Sequence, residues 1–580
     1  MKTNGLTFKT GKSSTGNIIN DTLINHGIVD IDKYRSGDFD DIPLSNPDNL
    51  NNIEQAAKRL HKAVVNHENI GILVDGDADG FSSAAMLMKG LSDIGVDSKL
   101  IIPDHKSHGL ETMMKRVLDS DITLLFTPDA SSNDVEYHKE LKKNNVDVVV
   151  LDHHIINDEG IETPAIIVNN QNNDNSDANS NYVGSGMVFL FMSYIHNHID
   201  KFDLSSLLPL LALGQVIDMS DVSDPEIRYY VQNGLNLFNK HKLFSYMVDF
   251  EPNVHNISFK IGPLLNAVAR VGTLEQREEL IYALAEMLPD ERKVVSKRRK
   301  SKLTGKMETR DMTLNRYQIE LDELKKIKSL QDRTVKKATE GIVNLSKKSD
   351  GIIIAQIPDD VSGSITGLIA GKIMGNYQSP VMVVKEAVSD GVTYYRGSMR
   401  CPTPFELRSW LNDTGLVSAS GHEQAAGVEF KASDVSGLLD KTRDGLNIVQ
   451  EYYVVDKIYD EYSASQAQVR EVNESIHLFG GKVKEPELGF KSLPINKNSI
   501  RNSGNMLKFS YNGLRFVLFA GADMIDYIST KTGFDSKIYV DILGSAARDD
   551  WGDGSPQVII KDIAISSKEN KVLTTDDLIF

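Results

Sequence analysis

The sequence predicts an α/β protein of several domains: a first domain on a parallel sheet, a smaller second α/β unit and a terminal all-β barrel. Three observations predict it. From about residue 56, short apolar runs alternate with helical stretches, as in a parallel sheet covered on both faces. The pattern restarts at Gly351-Ile-Ile-Ile-Ala, and beyond about 476 short strand-like runs follow one another between Gly and Asn turns. A chain of 580 residues is also too long for a single hydrophobic core.

Residues 1–55, rich in Asn, Asp and Gly, read as an irregular or weakly helical lead-in. The first domain, 56–273, reads strand Ile72–Val74, helix Phe81–Leu91, strand Ser98–Ile102, helix His108–Val117, strand Ile122–Phe126, helix Asn133–Lys143 and strand Val148–Leu151. Ile166–Val168 and a polar loop follow, then helical periods around Val183–Ile195, Leu207–Ile217 and Ile227–Phe238. Residues 274–345 are charged and nearly free of Gly, and predict a long connecting helix broken once by Pro289. Eight basic residues between Arg292 and Lys306, with no acidic one among them, are either the solvated face of that helix or a phosphate-facing wall. The second α/β unit spans 346–444, with a helix after Ser362 and a strand at Val381–Val384. A helical bridge is expected over 445–475. The barrel occupies 476–568, with strands at Leu507–Tyr511, Leu514–Phe519, Lys537–Leu543 and Gln557–Ile563, and 569–580 is a tail.

Composition narrows the class. With 40% hydrophobic and 25% charged residues the chain reads as soluble and globular, and no run approaches the roughly 20 apolar residues that cross a bilayer. The N-terminal lysines precede no apolar core, so no secretory signal is expected and the cytoplasm, of a host cell if the chain is phage-encoded, is the expected compartment. Cys401 is the lone cysteine, which excludes an intramolecular disulfide and a thiolate-built zinc site. A net charge of −17 argues against wholesale coating of nucleic acid, though not against a local basic track.

The chemistry gathers at strand ends. Asp75, Asp77 and Asp79 end the run Gly71-Ile-Leu-Val and precede Gly80, while Asp152-His153-His154 ends Val148-Val-Val-Leu. Asp129 closes Leu124-Leu-Phe-Thr-Pro, and Asp218 ends Leu210-Leu-Ala-Leu-Gly-Gln-Val-Ile. Open α/β sheets place ligands at the carboxyl ends of their strands. Buried carboxylates need a cation or hydrogen bonds to offset desolvation. Alternate residues of a strand share a face, and a glycine-eased turn lets the three aspartates converge. Six oxygen and nitrogen ligands suit Mn²⁺ or Mg²⁺, and so many favour two ions, a pair that activates water and stabilises a phosphoryl transition state.

These motifs resemble the DHH phosphoesterase superfamily, and within it the RecJ type of single-strand-specific 5′→3′ DNA exonuclease. The resemblance rests on Asp75-Gly-Asp-Ala-Asp-Gly80, Asp129-Ala-Ser-Ser, Asp152-His-His154, Gly214-Gln-Val-Ile-Asp218, Tyr182-Val-Gly-Ser-Gly186 and Gly262-Pro-Leu-Leu-Asn-Ala-Val-Ala-Arg270. In the second unit it rests on Ile365-Thr-Gly-Leu-Ile-Ala370, Arg396-Gly-Ser-Met-Arg400 and Gly421-His-Glu-Gln-Ala-Ala-Gly427, and in the tail on Leu478-Phe-Gly480 and Val540-Asp…Trp551…Ile563. It covers about 65 to 565 and implies a DHH domain, a DHHA1-type substrate-binding domain and an OB-type barrel.

The resemblance also implies roles. Asp77 and Asp79 ligate different metals, Asp129 bridges them, and His153 and Asp218 complete the shells; Asp75 is an additional ligand or an orienter. Asp152 holds His153 in one tautomer, and His154 faces the scissile phosphate. Lys106, His108, Arg270, Ser364, Arg396, Ser398, Arg400, Gly421 and His422 meet substrate phosphates, and Tyr511, Phe516, Phe519 and Trp551 are candidates for base stacking. The chain departs from the family pattern at Ser420, where a second glycine is usual, at Ser220 and Asp221, and at Ile227 before Arg228. None of these removes a proposed ligand.

The expected function is a two-metal exonuclease of single-stranded DNA that releases 5′-mononucleotides in recombination, repair or replication. Single-stranded DNA is the expected partner, with a single-strand-binding protein or helicase beside it, no membrane, and a monomeric state. Hydrolysis of short oligonucleotides or cyclic dinucleotides is a second reading, which the long tail argues against. A silent replication scaffold is a third, and loss of metal ligands would mark it.

Overall fold

The computed structural model describes the chain except residues 1–4, 12–14, 104–107, 158–161, 172–178, 301–306, 348–349, 378, 390, 403–404, 447–451, 504–505, 520–527, 529–535, 550–552 and 567–580. Two compact units emerge, one of Phe39–Lys336 and one that joins Met1–Asp38 to Lys337–Phe580.

The first unit is built on five parallel strands in the spatial order Lys99–Ile101, Ile70–Leu73, Leu124–Pro128, Asp147–Asp152, Ile166–Asn169. Alternate residues feed two cores. Ile70, Ile72, Leu124, Phe126, Val149 and Leu151 pack with the helices Ile53–Val65, Ala78–Asp93, Gly184–His198 and Leu208–Ile217. Leu73, Leu125, Val148 and Val150 pack on the opposite face with Leu110, Met113, Val117 and Leu141. A sheet buried on both faces explains why these strands are continuously apolar in sequence. The strand order reverses between Ile70–Leu73 and Leu124–Pro128, which opens a crevice at their carboxyl ends.

Two local expectations change here. His108 lies in a loop, because the helix expected from that position spans only Met114–Leu118. The described part of the basic run is strand and not part of a helix. Arg292–Lys300 pairs antiparallel with Met307–Asn315 as a two-stranded ribbon, and the long helix begins only at Arg316 and ends at Glu340. Asn315 and Gln318 exchange side-chain-to-backbone hydrogen bonds of 3.1 and 2.9 Å, a reciprocal cap that starts the helix there.

Among its described residues the second unit contains two large sheets and the two-stranded pair Phe8–Thr10/Tyr453–Val455. A six-stranded mixed sheet runs Ser418–His422, Ala425–Lys431, Val392–Arg400, Val381–Ser389, Ile353–Gln356, Val343–Asn344, with the helix Thr366–Tyr377 packed across Val381–Ser389 and Val392–Arg400. A seven-stranded sheet runs Lys457–Tyr459, Glu487–Asn496, Lys537–Arg548, Pro556–Ile565, Leu514–Phe519, Met506–Tyr511, Arg501–Ser503. It is open among the described residues, since its first and last strands do not pair, and the expected closed barrel is corrected accordingly.

The lead-in is more ordered than its composition suggested. Phe8–Thr10 pairs in parallel with Tyr453–Val455, and the helices Ile18–Asn25 and Ile31–Ser36 contribute Ile18, Ile19, Leu23 and Tyr34 to the core of the seven-stranded sheet. Buried Asp541 accepts hydrogen bonds from Leu6 N (2.9 Å), Ser492 N (2.8 Å) and Lys491 Nζ (2.6 Å). The bridge expected to be helical over 445–475 holds, among the described residues, the short strands Tyr453–Val455 and Lys457–Tyr459 before the helix Gln466–Glu474. The tail 569–580 lies outside the described residues.

Candidate metal centre and phosphate-binding face

The strand Ile70–Leu73 stops before the three aspartates, and the helix Ala78–Asp93 starts within them. Asp77 caps that helix, its Oδ1 accepting from Asp79 N (3.0 Å) and Gly80 N (3.1 Å). Asp79 therefore projects from the first helical turn, not from a strand. Gly80 is helical, and its service is space: a Cβ there would stand 2.5 Å from Asp75 Cβ. Asp129 follows its strand at φ +63°, a left-handed conformation that Asp tolerates better than most residues, and its N–H donates to Leu151 O (2.9 Å). The chain thus turns sharply beside the crevice.

Two further glycines wall the cluster. A Cβ on Gly184 would lie 2.4 Å from Asp129 Oδ1, and one on Gly214 would lie 2.1 Å from Asp79 Oδ1. Gly184 opens the helix Gly184–His198, whose Ser185 N–H points at Asp79 Oδ1 (3.3 Å). The positive end of that helix thereby faces two buried carboxylates.

The ligand atoms fall into overlapping groups, each within 4.8 Å: Asp75, Asp77 and Asp129; Asp79, His153 and Asp218; and Asp129, Asp152, His153 and His154. Asp129 and His153 each belong to two of them, with His153 Nε2 3.2 Å from Asp129 Oδ1 and 3.7 Å from Asp218 Oδ2. Asp75, Asp79 and Asp129 are at most 4% exposed, and Asp79 Oδ2 has no hydrogen-bond partner among the described residues. Burial first, and then neighbouring carboxylates, push Asp79 and Asp129 well above the usual carboxylate range, and burial followed by Asp77 pushes Asp218 up to about 6. Burial and the neighbouring His154 pull His153 down to about 4, which leaves it neutral and fit to ligate. Buried oxygens that repel one another, an orphaned carboxylate oxygen and a neutral imidazole fit divalent cations.

Asp152 is arranged otherwise than expected. Asp152 Oδ1 accepts from His154 Nδ1 (2.7 Å) and from the backbone N–H groups of His153 (2.8 Å) and His154 (3.2 Å), while Oδ2 accepts from Ser132 N (3.1 Å). The aspartate orients the His154 ring; His153 donates to it only from the main chain. Burial is the largest single influence and disfavours the charge on His154, but the hydrogen bond to Asp152 and the charge of that carboxylate together raise the ring above its usual value. His108 joins this group. Its Nδ1 lies 2.8 Å from Asp75 Oδ1, a hydrogen bond that outweighs burial and raises the ring to about 9, and it sits 4.8 Å from the ring of His154. Asp75 thus serves both as a member of an acidic group and as the residue that orients His108.

Sequence reasoning missed the support beneath His108. Leu110 N donates to Asp134 Oδ2 (2.8 Å), and Arg277, buried on the helix Leu274–Leu284, donates from Nη1 to Pro103 O (2.5 Å) at the other end of that loop. No spacing in the sequence links these positions. Lys106 lies outside the described residues. Arg270 is half-buried in the last turn of the helix Gly262–Val271.

In the second unit, the register of the mixed sheet aligns most of the expected phosphate contacts. Arg400 pairs with Ala425, which pairs with His422; Ser398 pairs with Gly427, which pairs with Ser420. Arg396, Ser398 and Arg400 therefore share a face with Ser420 and His422. Ser398 Oγ lies 2.9 Å from Thr366 Oγ1 at the start of the helix Thr366–Tyr377, and Ser362 Oγ lies 2.8 Å from Ser364 Oγ just before it. Gly367 gives Arg400 its room, since a Cβ there would meet Nη2 at 2.7 Å. Gly421 has φ +118°, which an L side chain rarely adopts, and places His422 at an exposed strand end. Arg396 is already paired with Glu429.

The stacking candidates separate. Phe516 is fully buried, its ring parallel to Phe509 at 5.1 Å and edge-on to Phe490, so it is core and not a base platform. Tyr511 is half-buried and donates to Glu461 O (2.8 Å). Phe519 is 56% exposed, and Trp551 lies outside the described residues.

Residues 69–215 match the family model "DHH family, N-terminal domain", and this part of the chain is a DHH domain. Over a longer stretch the chain resembles RecJ-type proteins. It is 27% identical over 549 residues to the SPbeta prophage-derived single-strand DNA-specific exonuclease YorK of Bacillus subtilis strain 168, covering 90% of this chain and 92% of the relative. It is 22% identical over 554 residues to the single-stranded-DNA-specific exonuclease RecJ of the same organism, covering 91% of this chain and 65% of that longer protein. The fold matches that of RecJ from Thermus thermophilus in complex with Mn²⁺, with a TM-score of 0.68, 18% identity, and coverage of 98% of this chain and 80% of that one. The Mg²⁺ complex of the same protein matches at 0.62, with 18% identity and 94% and 74% covered.

Proposed function

We propose that the protein is a metal-dependent exonuclease that degrades single-stranded DNA from its 5′ end and releases 5′-mononucleotides, in DNA recombination, repair or replication. The observation that carries this reading is the pair of ligand groups, Asp75/Asp77/Asp129 and Asp79/His153/Asp218, set side by side at the topological switch point of a DHH domain. The names of the relatives support the choice of substrate.

In this reading Asp75, Asp77 and Asp129 would hold one divalent ion, and Asp79, His153 and Asp218 would hold the other. Two such ions supply charge that lowers the pKa of an attacking water and stabilises the leaving oxygen. The chain does the rest. Asp152 fixes His154 through Nδ1, which leaves Nε2 to face the scissile phosphate. His108, kept cationic at neutral pH by Asp75, offers a second charge to the same group. The face carrying Ser364, Ser398, Arg400, Gly421 and His422 binds backbone phosphates, with Arg396 exchanging Glu429 for phosphate and Arg270 contributing from the DHH domain. The seven-stranded sheet acts in OB fashion on the strand through Phe519 and its neighbours.

Digestion of 5′-labelled and 3′-labelled single strands, beside duplex and dinucleotide controls, tests the reading. Immediate release of 5′-terminal mononucleotide with Mn²⁺ or Mg²⁺, lost in Asp129→Ala, is expected. Cleavage confined to dinucleotides, or none at all, would overturn it.

A further inference from the structure

The ribbon Arg292–Lys300/Met307–Asn315 stands apart from the rest of the chain in charge. Its two strands carry seven lysines and arginines against Glu308 and Asp311, in a chain whose net charge is −17. An isolated two-stranded ribbon is marginally stable in water, so one face must be anchored. Alternation settles which. Val295, Lys297, Met312 and Leu314 are partly or fully buried, and Lys297 pairs with Asp322 on the helix Arg316–Glu340. Arg292, Val294, Ser296 and Arg298 lie on the opposite face and are exposed, opposite Asn315, Thr313, Asp311 and Thr309.

That outward face has the ingredients of a sequence-tolerant nucleic-acid track. Arg292 and Arg298 have no acidic partner within salt-bridge distance among the described residues, whereas Lys293 and Arg310 have Glu291 and Glu308. Val294 and Met307, 70% and 54% exposed, offer apolar contact to sugars and bases. At the root of the ribbon Asn315 Nδ2 donates to Tyr246 Oη (2.7 Å), fixing an aromatic ring that is 41% exposed. Cationic side chains beside an accessible ring are the combination that tracks a backbone and stacks a base.

We propose that this ribbon is an auxiliary nucleic-acid-binding arm, distinct from the metal centre, that grips the phosphate backbone of a DNA strand through Arg292 and Arg298. The inference deepens the nuclease reading but does not depend on cleavage.

Its test is binding by the full chain, in EDTA, to fluorescein-labelled oligothymidylate and to a labelled duplex of the same length across a salt series. Arg292→Gln/Arg298→Gln is compared with Lys58→Gln/Lys139→Gln, an exposed pair elsewhere that removes the same charge. For single strands, log Kd varies with log salt by about 0.7 per phosphate contact, so the ribbon variant should flatten that slope by about 1.4 and weaken binding roughly tenfold at low salt. The control variant should do neither. An unchanged slope, or an equal loss in both variants, overturns the arm. A slope lost only on the duplex keeps the backbone contact but overturns its assignment to a single strand. Because EDTA removes catalysis from the readout, wild-type protein that binds with the full slope yet never digests DNA would sink the nuclease reading and leave the arm standing.

Discussion

Gly184 and Gly214 set the radius of the carboxylate cluster, each standing where a methyl group would strike a carboxylate oxygen at 2.4 or 2.1 Å. Gly184→Ala is expected to leave the fold intact while lowering Mn²⁺ affinity roughly 10- to 100-fold, the usual cost of disturbing what orients a ligand. Titration calorimetry reads this directly, and wild-type affinity in the variant would refute the packing account. The aspartates themselves were legible because an acid at the end of a buried apolar run must be offset by a cation or by hydrogen bonds. The division of labour between His153 and His154 was not, since it depends on which ring nitrogen meets Asp152 Oδ1. A second residue-scale effect is remote from the centre. His241 is buried, accepts at Nδ1 from Leu243 N (3.3 Å) and Phe244 N (3.4 Å), and reaches Leu284 O through Nε2 (2.9 Å). Burial lowers it from 6.5 to about 4. The unfolded ring takes up a proton below about 6.5 and the folded ring only near 4, so its contribution is complete above 6.5. That contribution falls by about 3 kcal/mol as pH drops through the window. His241→Gln should be less stable at pH 7 but show a shallower acid limb in urea titrations; an unaltered limb would count against it.

Elements follow the same division between local and distant causes. The five strands of the DHH domain were readable from period and composition, because burial on both faces leaves an uninterrupted apolar run. The basic ribbon was not, because its strands face water on one side and nothing local distinguishes such charge density from a solvated helix. The lead-in was misread for another reason. Its apolar residues are few, and their partners in the core lie more than 400 positions away. The tether at Asp541 makes this measurable. Asp541→Ala strands Lys491 in a largely buried site and should cost about 3–5 kcal/mol, whereas adding Lys491→Met should restore part of it. Equal stability of the single and double variants in guanidinium titrations would show that the pair carries no such coupling.

On the scale of the whole molecule, the metal centre lies entirely within the unit Phe39–Lys336, so metal binding should stabilise that unit. Saturation at 100 times Kd is worth about 2.7 kcal/mol. Since the ligands must lose their protons to bind, Mn²⁺ should raise the melting temperature more at pH 8 than at pH 5.5, with Asp129→Ala as the silent control. A shift that is the same at both pH values would mean the buried carboxylates are not the ligands. Among the described residues no helix is long and apolar enough to cross a membrane. The parallel pairing of Phe8–Thr10 with Tyr453–Val455 has a consequence for how the polypeptide is made. When residue 38 has been made, the strand at 453 is still 415 residues from being synthesised, a delay of roughly 20–80 s at ordinary translation rates. In that interval the DHH domain can fold as an insertion while Ile18, Ile19, Leu23 and Tyr34 stay exposed to water. Newly made chains therefore present a sticky segment that a chaperone can hold, and moving residues 1–38 behind the seven-stranded sheet should shorten the wait.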